Sequence, residues 1–134
     1  MNKLHTINAE ELQNRTYEPT HFLVDELIPE GLHILAGAPK IGKSFLVAQI
    51  AYHVSTGKAL WDYEVHPGTV LYLALEDDFQ RIQSRMFMMY GVNDTDRLHF
   101  ATAAGKIGNG LDEQLENFVR EHPDTRLIII DTMQ

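Results

Sequence analysis

The sequence predicts an α/β fold in which helices cover both faces of a mostly parallel sheet. Apolar runs alternate with amphipathic segments in the order β-α-β-α-β-α-β, which is typical of parallel sheets joined by helical crossovers. The run Thr69–Leu75 is almost continuously apolar, as expected of a strand buried on both faces. We therefore expect one α/β domain over residues 22–134, preceded by a lead-in over residues 1–21.

The first elements have recognisable start and stop signals. Asn8, with Glu11 three residues later, is a predicted N-cap for a short helix over residues 9–14. A Pro-Glu-Gly turn at residues 29–31 leads into the first predicted strand of the sheet, Leu32–Ala36. The next helix begins at Lys43 and is expected to end near residue 54 or 55, with Gly57 as its C-cap.

The second half of the chain continues the alternation. Hydrophobic periodicity and turn residues place two further helices and three further strands there. These elements are predicted as strand Thr69–Leu75, helix Phe79–Tyr90, strand Arg97–Ala101, helix Leu111–Glu121 and strand Arg126–Asp131.

Composition narrows the class of protein. With 134 residues, 44% hydrophobic and 22% charged, the chain is ordinary for one soluble domain. It has no cysteine, which excludes disulfides and thiolate metal sites, and its net charge of −8 argues against nucleic-acid binding through bulk electrostatics. No apolar run approaches the roughly 18 residues of a membrane helix, and the start lacks the apolar core of a signal peptide. We expect a cytoplasmic protein without membrane contact.

Residues 37–44 match the phosphate-binding loop pattern G-x-x-x-x-G-K-[ST]. Glycines let the backbone wrap around an anion with its N–H groups inward, and the following helix adds its positive N-terminal end. Lysine at this position contacts the outer phosphates of ATP, and the serine hydroxyl binds Mg²⁺. The alternative is an ordinary Gly/Pro loop before a core helix. The predicted nucleotide-binding residues are Gly37, Ala38, Pro39, Lys40, Ile41, Gly42, Lys43, Ser44 and Phe45.

Two carboxylates follow predicted strands. Four apolar residues precede Asp131, the form of a Walker B strand whose aspartate faces Mg²⁺. Glu76 lies at the tip of the Thr69–Leu75 strand and is the candidate general base or water-orienting residue. The alternative is that the acidic run 76–78 only begins the next helix. Because ligands bind at the carboxyl ends of parallel strands, we expect the loop, Glu76 and Asp131 to converge.

Other polar residues give weaker functional signals. Arg81 and Arg85 lie one helical turn apart and could reach phosphate, although exposed pairing with nearby acids is the simpler interpretation. Lys106 lies in a glycine-rich loop that does not follow a strand closely enough for a dinucleotide fingerprint. The seven histidines show no metal-ligand spacing.

Three segments together resemble the RecA-like P-loop ATPases. They are residues 37–44, the run Val-Leu-Tyr-Leu-Ala-Leu-Glu-Asp-Asp at 70–78, and residues 127–131. The nearest branch by resemblance is that of the RepA-type hexameric replicative helicases of plasmids, phages and mobile elements. This resemblance implies a three-layer P-loop NTPase fold and ATP and Mg²⁺ as cofactors. It places the catalytic glutamate at Glu76, the P-loop roles at Lys43 and Ser44, and the Mg²⁺ role at Asp131.

The chain departs from that family pattern at its end. It reaches Gln134 three residues after Asp131, whereas RecA-like cores continue with a central strand, DNA-binding loops and an arginine finger. We therefore expect a partial ATPase domain, truncated after the Walker B strand, from a parent that self-associates as a hexamer and contacts DNA through parts absent here. In that parent the reaction would be ATP hydrolysis coupled to DNA replication or repair. Two alternatives remain open: a non-catalytic nucleotide-binding or assembly module, and a P-loop phosphotransferase.

Overall fold

The computed structural model describes residues 2–37, 42–91 and 95–132. Over these residues helices and strands alternate as the sequence predicts from residue 43 onward. The elements are α1 (Ala9–Asn14), β1 (Phe22–Val24), β2 (Ile28–Pro29), α2 (Lys43–Thr56), β3 (Thr69–Ala74), α3 (Phe79–Tyr90), β4 (Leu98–Ala101), α4 (Leu111–Glu121) and β5 (Thr125–Asp131).

Three strands form a parallel sheet in the order β4-β3-β5. The central strand β3 is buried along its whole length, which confirms the expectation from its continuous apolar run. In the register, Tyr72 lies beside Ile129, and Ala74 lies beside Asp131 at the carboxyl edge. The end of β5 and the turn after β3 therefore lie side by side, which matters for the site.

Helices cover both faces of this sheet. On one face, α2 and α3 pack against alternate residues of β3, and Ala51 and Val54 are fully buried there. On the other face, α4 packs through Leu111, Leu115 and Phe118. The mixed α/β architecture with a three-stranded parallel sheet is compatible with a P-loop NTPase fold.

The predicted caps are present. The Asn8 side chain accepts a hydrogen bond from the Glu11 N–H at 2.8 Å, and Gly57 ends α2 in the left-handed conformation with φ of 79°. The Asp78 side chain likewise accepts from the Arg81 N–H at 2.8 Å at the start of α3. These local bonds satisfy helix-terminal groups, which is why short sequence signals located the helix ends well.

One predicted element is wrong. Residues 32–36 form no strand in the structure, and the side chains of Leu32 and Ile34 are 91% and 88% exposed. A strand exists only through hydrogen bonds to a neighbour, and no strand within the described ranges pairs with this segment. Its apolar sequence therefore stays on the surface, although the helix that follows takes its predicted place against the sheet.

The N-terminal part of the chain is joined to the domain by β1 and β2, which pair antiparallel. Val24 is fully buried and bridges to Val65 in the loop after α2. A hydrogen bond of 2.7 Å between the His66 ring and the Asp25 carboxylate reinforces the same contact. Among the helices described, none has both the length and the apolar character needed to cross a membrane.

Candidate nucleotide site

The first turn of α2 meets the end of β5. The Ser44 hydroxyl donates a hydrogen bond to Asp131 Oδ2 at 2.9 Å, joining residues 87 positions apart in the sequence. Packing of α2 on the sheet brings its N-terminus to the carboxyl edge, where β5 delivers its aspartate. The structure thus brings together the hydroxyl and the carboxylate that the sequence singled out for Mg²⁺.

The residue before α2 and the first residue of the helix both belong to the predicted phosphate-binding loop. Gly42 precedes the helix with φ of 93°, a left-handed conformation that favours glycine. The Lys43 amine donates a hydrogen bond to the carbonyl oxygen of Gly37. The predicted loop residues Ala38, Pro39, Lys40 and Ile41 lie outside the described residues. The position of the Lys43 side chain is therefore described by its hydrogen bond to Gly37, the first residue of the loop.

Tyr72 is a member of this site that the sequence analysis did not identify. Its hydroxyl donates to Asp131 Oδ2 at 2.8 Å, so this one oxygen accepts from both Ser44 and Tyr72. Burial and the hydrogen bond to Asp131 raise the pKa of the Tyr72 hydroxyl well above its ordinary value, so it remains a donor at neutral pH. The other carboxylate oxygen accepts from the Thr132 hydroxyl at 3.1 Å.

Glu76 lies next to this cluster at the end of β3. The Leu75 N–H donates to the Asp131 carbonyl at 2.8 Å, so the chain reaches Glu76 one residue beyond its last bond to β5. Glu76 is exposed, and its carbonyl oxygen accepts from the Arg81 guanidinium at 3.2 Å. The acidic residues 76–78 therefore have different positions: Asp78 caps α3, whereas Glu76 lies at the tip of β3.

The two arginines of α3 hold the turn after β3. Arg81 pairs with Asp77 at 3.1 Å and with Asp78 at 3.2 Å, as the simpler interpretation of this residue predicted. Arg85 pairs with the other Asp77 oxygen at 3.0 Å, but its side chain is only 20% exposed. It also lies over the Phe45 ring, 5.5 Å from the centroid, and so links the turn after β3 to the first turn of α2.

These groups have a definite chemical capacity. A hydroxyl and a carboxylate supply the oxygen ligands that Mg²⁺ prefers, and the lysine amine supplies a cation for phosphate. Glu76, which carries a second carboxylate, lies at the end of the neighbouring strand β3. The set fits a magnesium nucleotide, although the roles of the individual residues remain predictions.

Comparison with known proteins supports the same class. No curated protein and no solved structure matched the chain. A family model described as an AAA domain matches residues 3–134, nearly the whole sequence. AAA-type families are P-loop ATPases, and nucleotide binding with Mg²⁺ is their usual chemistry. The chain therefore belongs to an AAA domain family of nucleotide-binding ATPases.

Proposed function

We propose that this chain binds ATP with Mg²⁺ between the start of α2 and the ends of β3 and β5, and that these residues carry out ATP hydrolysis in the full-length protein. The contact between Ser44 and Asp131 carries the proposal. It joins two motif residues far apart in sequence at the sheet edge where α/β proteins bind ligands. An ordinary loop before a core helix would not require this pairing.

Each residue has one task in the proposed reaction. Lys43 binds the outer phosphates, and its amine must leave the Gly37 carbonyl to do so. Ser44 and Asp131 would hold Mg²⁺, which supplies neutralisation of phosphate charge. Glu76 orients a water molecule and accepts its proton as the water oxygen attacks the γ-phosphorus in line; the bond from that phosphorus to the bridging oxygen breaks, and ADP leaves.

We further propose that the parent protein is a RecA-like ATPase of the RepA-type helicase branch. Residues 22–134 would be the nucleotide-binding part of its domain. The proposal is supported by the resemblance of segments 37–44, 70–78 and 127–131, which include the glutamate at the tip of β3. In this proposal the parent self-associates and acts on DNA during replication or repair in the cytoplasm. DNA contacts would lie outside this chain, whose net charge is −8.

Two substitutions test the ATPase proposal. Lys43→Ala should abolish binding of a fluorescent ATP analogue, because it removes the cation for the outer phosphates. Glu76→Gln should keep the binding affinity of the wild type and lose hydrolysis, measured as phosphate release by the longest available form of the protein. Matched controls are Lys3→Ala in the N-terminal lead-in and Glu121→Gln in the last turn of α4, which leads to the start of β5; both residues are exposed.

The outcomes separate the candidate functions. Loss of binding in Lys43→Ala, together with normal binding but loss of turnover in Glu76→Gln, supports an ATPase. Binding that depends on Lys43 without turnover in any form would favour a non-catalytic nucleotide module. Wild-type binding in Lys43→Ala would refute the proposed site.

A further inference from the structure

The hydroxyl of Tyr72 is a polar group buried among apolar side chains. Tyr72 lies in the central strand β3, where its neighbours along the strand are apolar, and its side chain is almost completely buried. Its ring packs 5.6 Å from that of Phe100, a contact that phenylalanine at position 72 would also make. The hydroxyl contributes nothing to that packing, and its partner is the Asp131 carboxylate.

The register explains why this contact forms. Tyr72 lies beside Ile129 on β5, two residues before Asp131 along the same face. The tyrosine ring therefore extends along the face beneath α2 toward the carboxyl edge of the sheet, and its hydroxyl reaches Asp131 Oδ2 at 2.8 Å.

The two donors to Asp131 Oδ2 differ in freedom. Ser44 can turn its hydroxyl away by rotation about one side-chain bond. The Tyr72 hydroxyl is fixed by a ring enclosed in the core, so it can keep its bond to Asp131 when Ser44 turns toward another partner. Groups that orient a metal-binding carboxylate in this way set the affinity of the site without touching the metal.

We propose that Tyr72 is a positioning residue for the magnesium-binding carboxylate of Asp131. The inference rests on the proposed function, since it assigns Asp131 to Mg²⁺. Tyr72 contacts neither nucleotide nor metal; it holds Asp131 Oδ2 so that the carboxylate keeps one orientation at the edge of the sheet. Loss of the hydroxyl should weaken Mg²⁺ binding while leaving metal-free nucleotide binding unchanged.

The test is a Mg²⁺ titration of fluorescent ATP-analogue binding to Tyr72→Phe and wild type. The Mg²⁺ concentration that gives half of the maximal change in analogue binding should be about tenfold higher for Tyr72→Phe. A tenfold change corresponds to the loss of one hydrogen bond to a charged group. The dissociation constant of the analogue in excess chelator should not change. Tyr63→Phe, in an exposed loop, is the matched control and should follow the wild type.

A second variant distinguishes positioning from a general structural effect. In an Asp131→Asn background, Tyr72→Phe should cause little further rise in the Mg²⁺ requirement, because both changes disrupt the same carboxylate. Equal Mg²⁺ requirements in Tyr72→Phe and wild type would overturn the inference. So would a full tenfold effect that persists in the Asp131→Asn background.

Two further outcomes complete the test. If Tyr72→Phe does not fold, Tyr72→Met also lacks the hydroxyl and adapts its shape to the core, and the same titration applies. If the wild type binds no nucleotide, the proposed function fails and this inference fails with it. Nucleotide binding that responds to Mg²⁺ equally in all variants would refute the inference alone.

Discussion

The contact between Ser44 and Asp131 can be measured without any nucleotide, by a double-mutant cycle on stability. The variants are Ser44→Ala, Asp131→Ala and the double substitution. The bond is 2.9 Å long, has a carboxylate acceptor and is half-buried. Bonds to charged groups contribute about 1.5–3 kcal/mol, and partial exposure places this one at the lower end, so we expect a coupling free energy of about 1.5 kcal/mol.

The single substitutions should differ in cost. Asp131→Ala also leaves the buried Tyr72 hydroxyl without its acceptor, which adds about 1–3 kcal/mol of destabilisation. Ser44→Ala removes a single donor and should cost less. Urea unfolding followed by far-ultraviolet circular dichroism, in buffer without Mg²⁺ or nucleotide, measures all four proteins.

A control pair calibrates the cycle. Ser44→Ala combined with Asp112→Ala joins two positions on opposite faces of the sheet, because α4 packs on the face away from α2. Their effects should add to within about 0.5 kcal/mol. If the effects of Ser44→Ala and Asp131→Ala on the free energy of unfolding add equally well, the hydrogen bond is absent in solution and the geometric argument for the site is refuted.

Three further predictions concern the frame around the site. Gly68→Ala should destabilise by about 1–3 kcal/mol in urea unfolding, because a Cβ there would lie 2.6 Å from the Asp124 carbonyl oxygen; wild-type stability would contradict it. Asp78→Ala should cost about 1 kcal/mol through loss of the α3 cap, and an unchanged urea midpoint would show that the cap contributes nothing. The hydrogen bond from the Thr69 hydroxyl lowers the pKa of Asp124 in the folded protein. The ionised carboxylate therefore stabilises the fold at pH values above the pKa that Asp124 has in the unfolded chain. This stabilisation is lost as the pH falls through the pKa of Asp124 in the folded protein. The stability difference between wild type and Asp124→Asn should therefore shrink below about pH 4 in thermal melts, and a constant difference would be inconsistent with this account.

Local signals predicted most of the fold. The continuous apolar run at 69–75 predicted a strand buried on both faces, and β3 is buried throughout. Asn8 and Gly57 marked helix ends because caps depend on bonds within a few residues. Such features need no knowledge of the rest of the chain.

Predictions that depended on tertiary neighbours were weaker. The segment 32–36 has the composition of a strand, yet pairing requires a neighbour that composition cannot reveal. Tyr72 was hidden inside an apolar run, and only the strand register places its hydroxyl at Asp131. The available signal was the Tyr72 hydroxyl itself. A polar atom in a strand that is buried on both faces requires a hydrogen-bond partner. The low exposure of Arg85 was likewise set by its contacts with Asp77 and Phe45 rather than by helical spacing.

The central claim is that the start of α2 and the end of β5 bind one nucleotide together. At 15.3 kDa the protein suits amide-resolved nuclear magnetic resonance, so a titration with a magnesium complex of a non-hydrolysable ATP analogue tests it directly. We predict that the amide signals of Gly42, Lys43, Ser44 and Asp131 shift together along one binding curve, while those in the middle of α4 do not move. A response at Ser44 without one at Asp131, or shifts confined to other regions of the chain, would contradict the account.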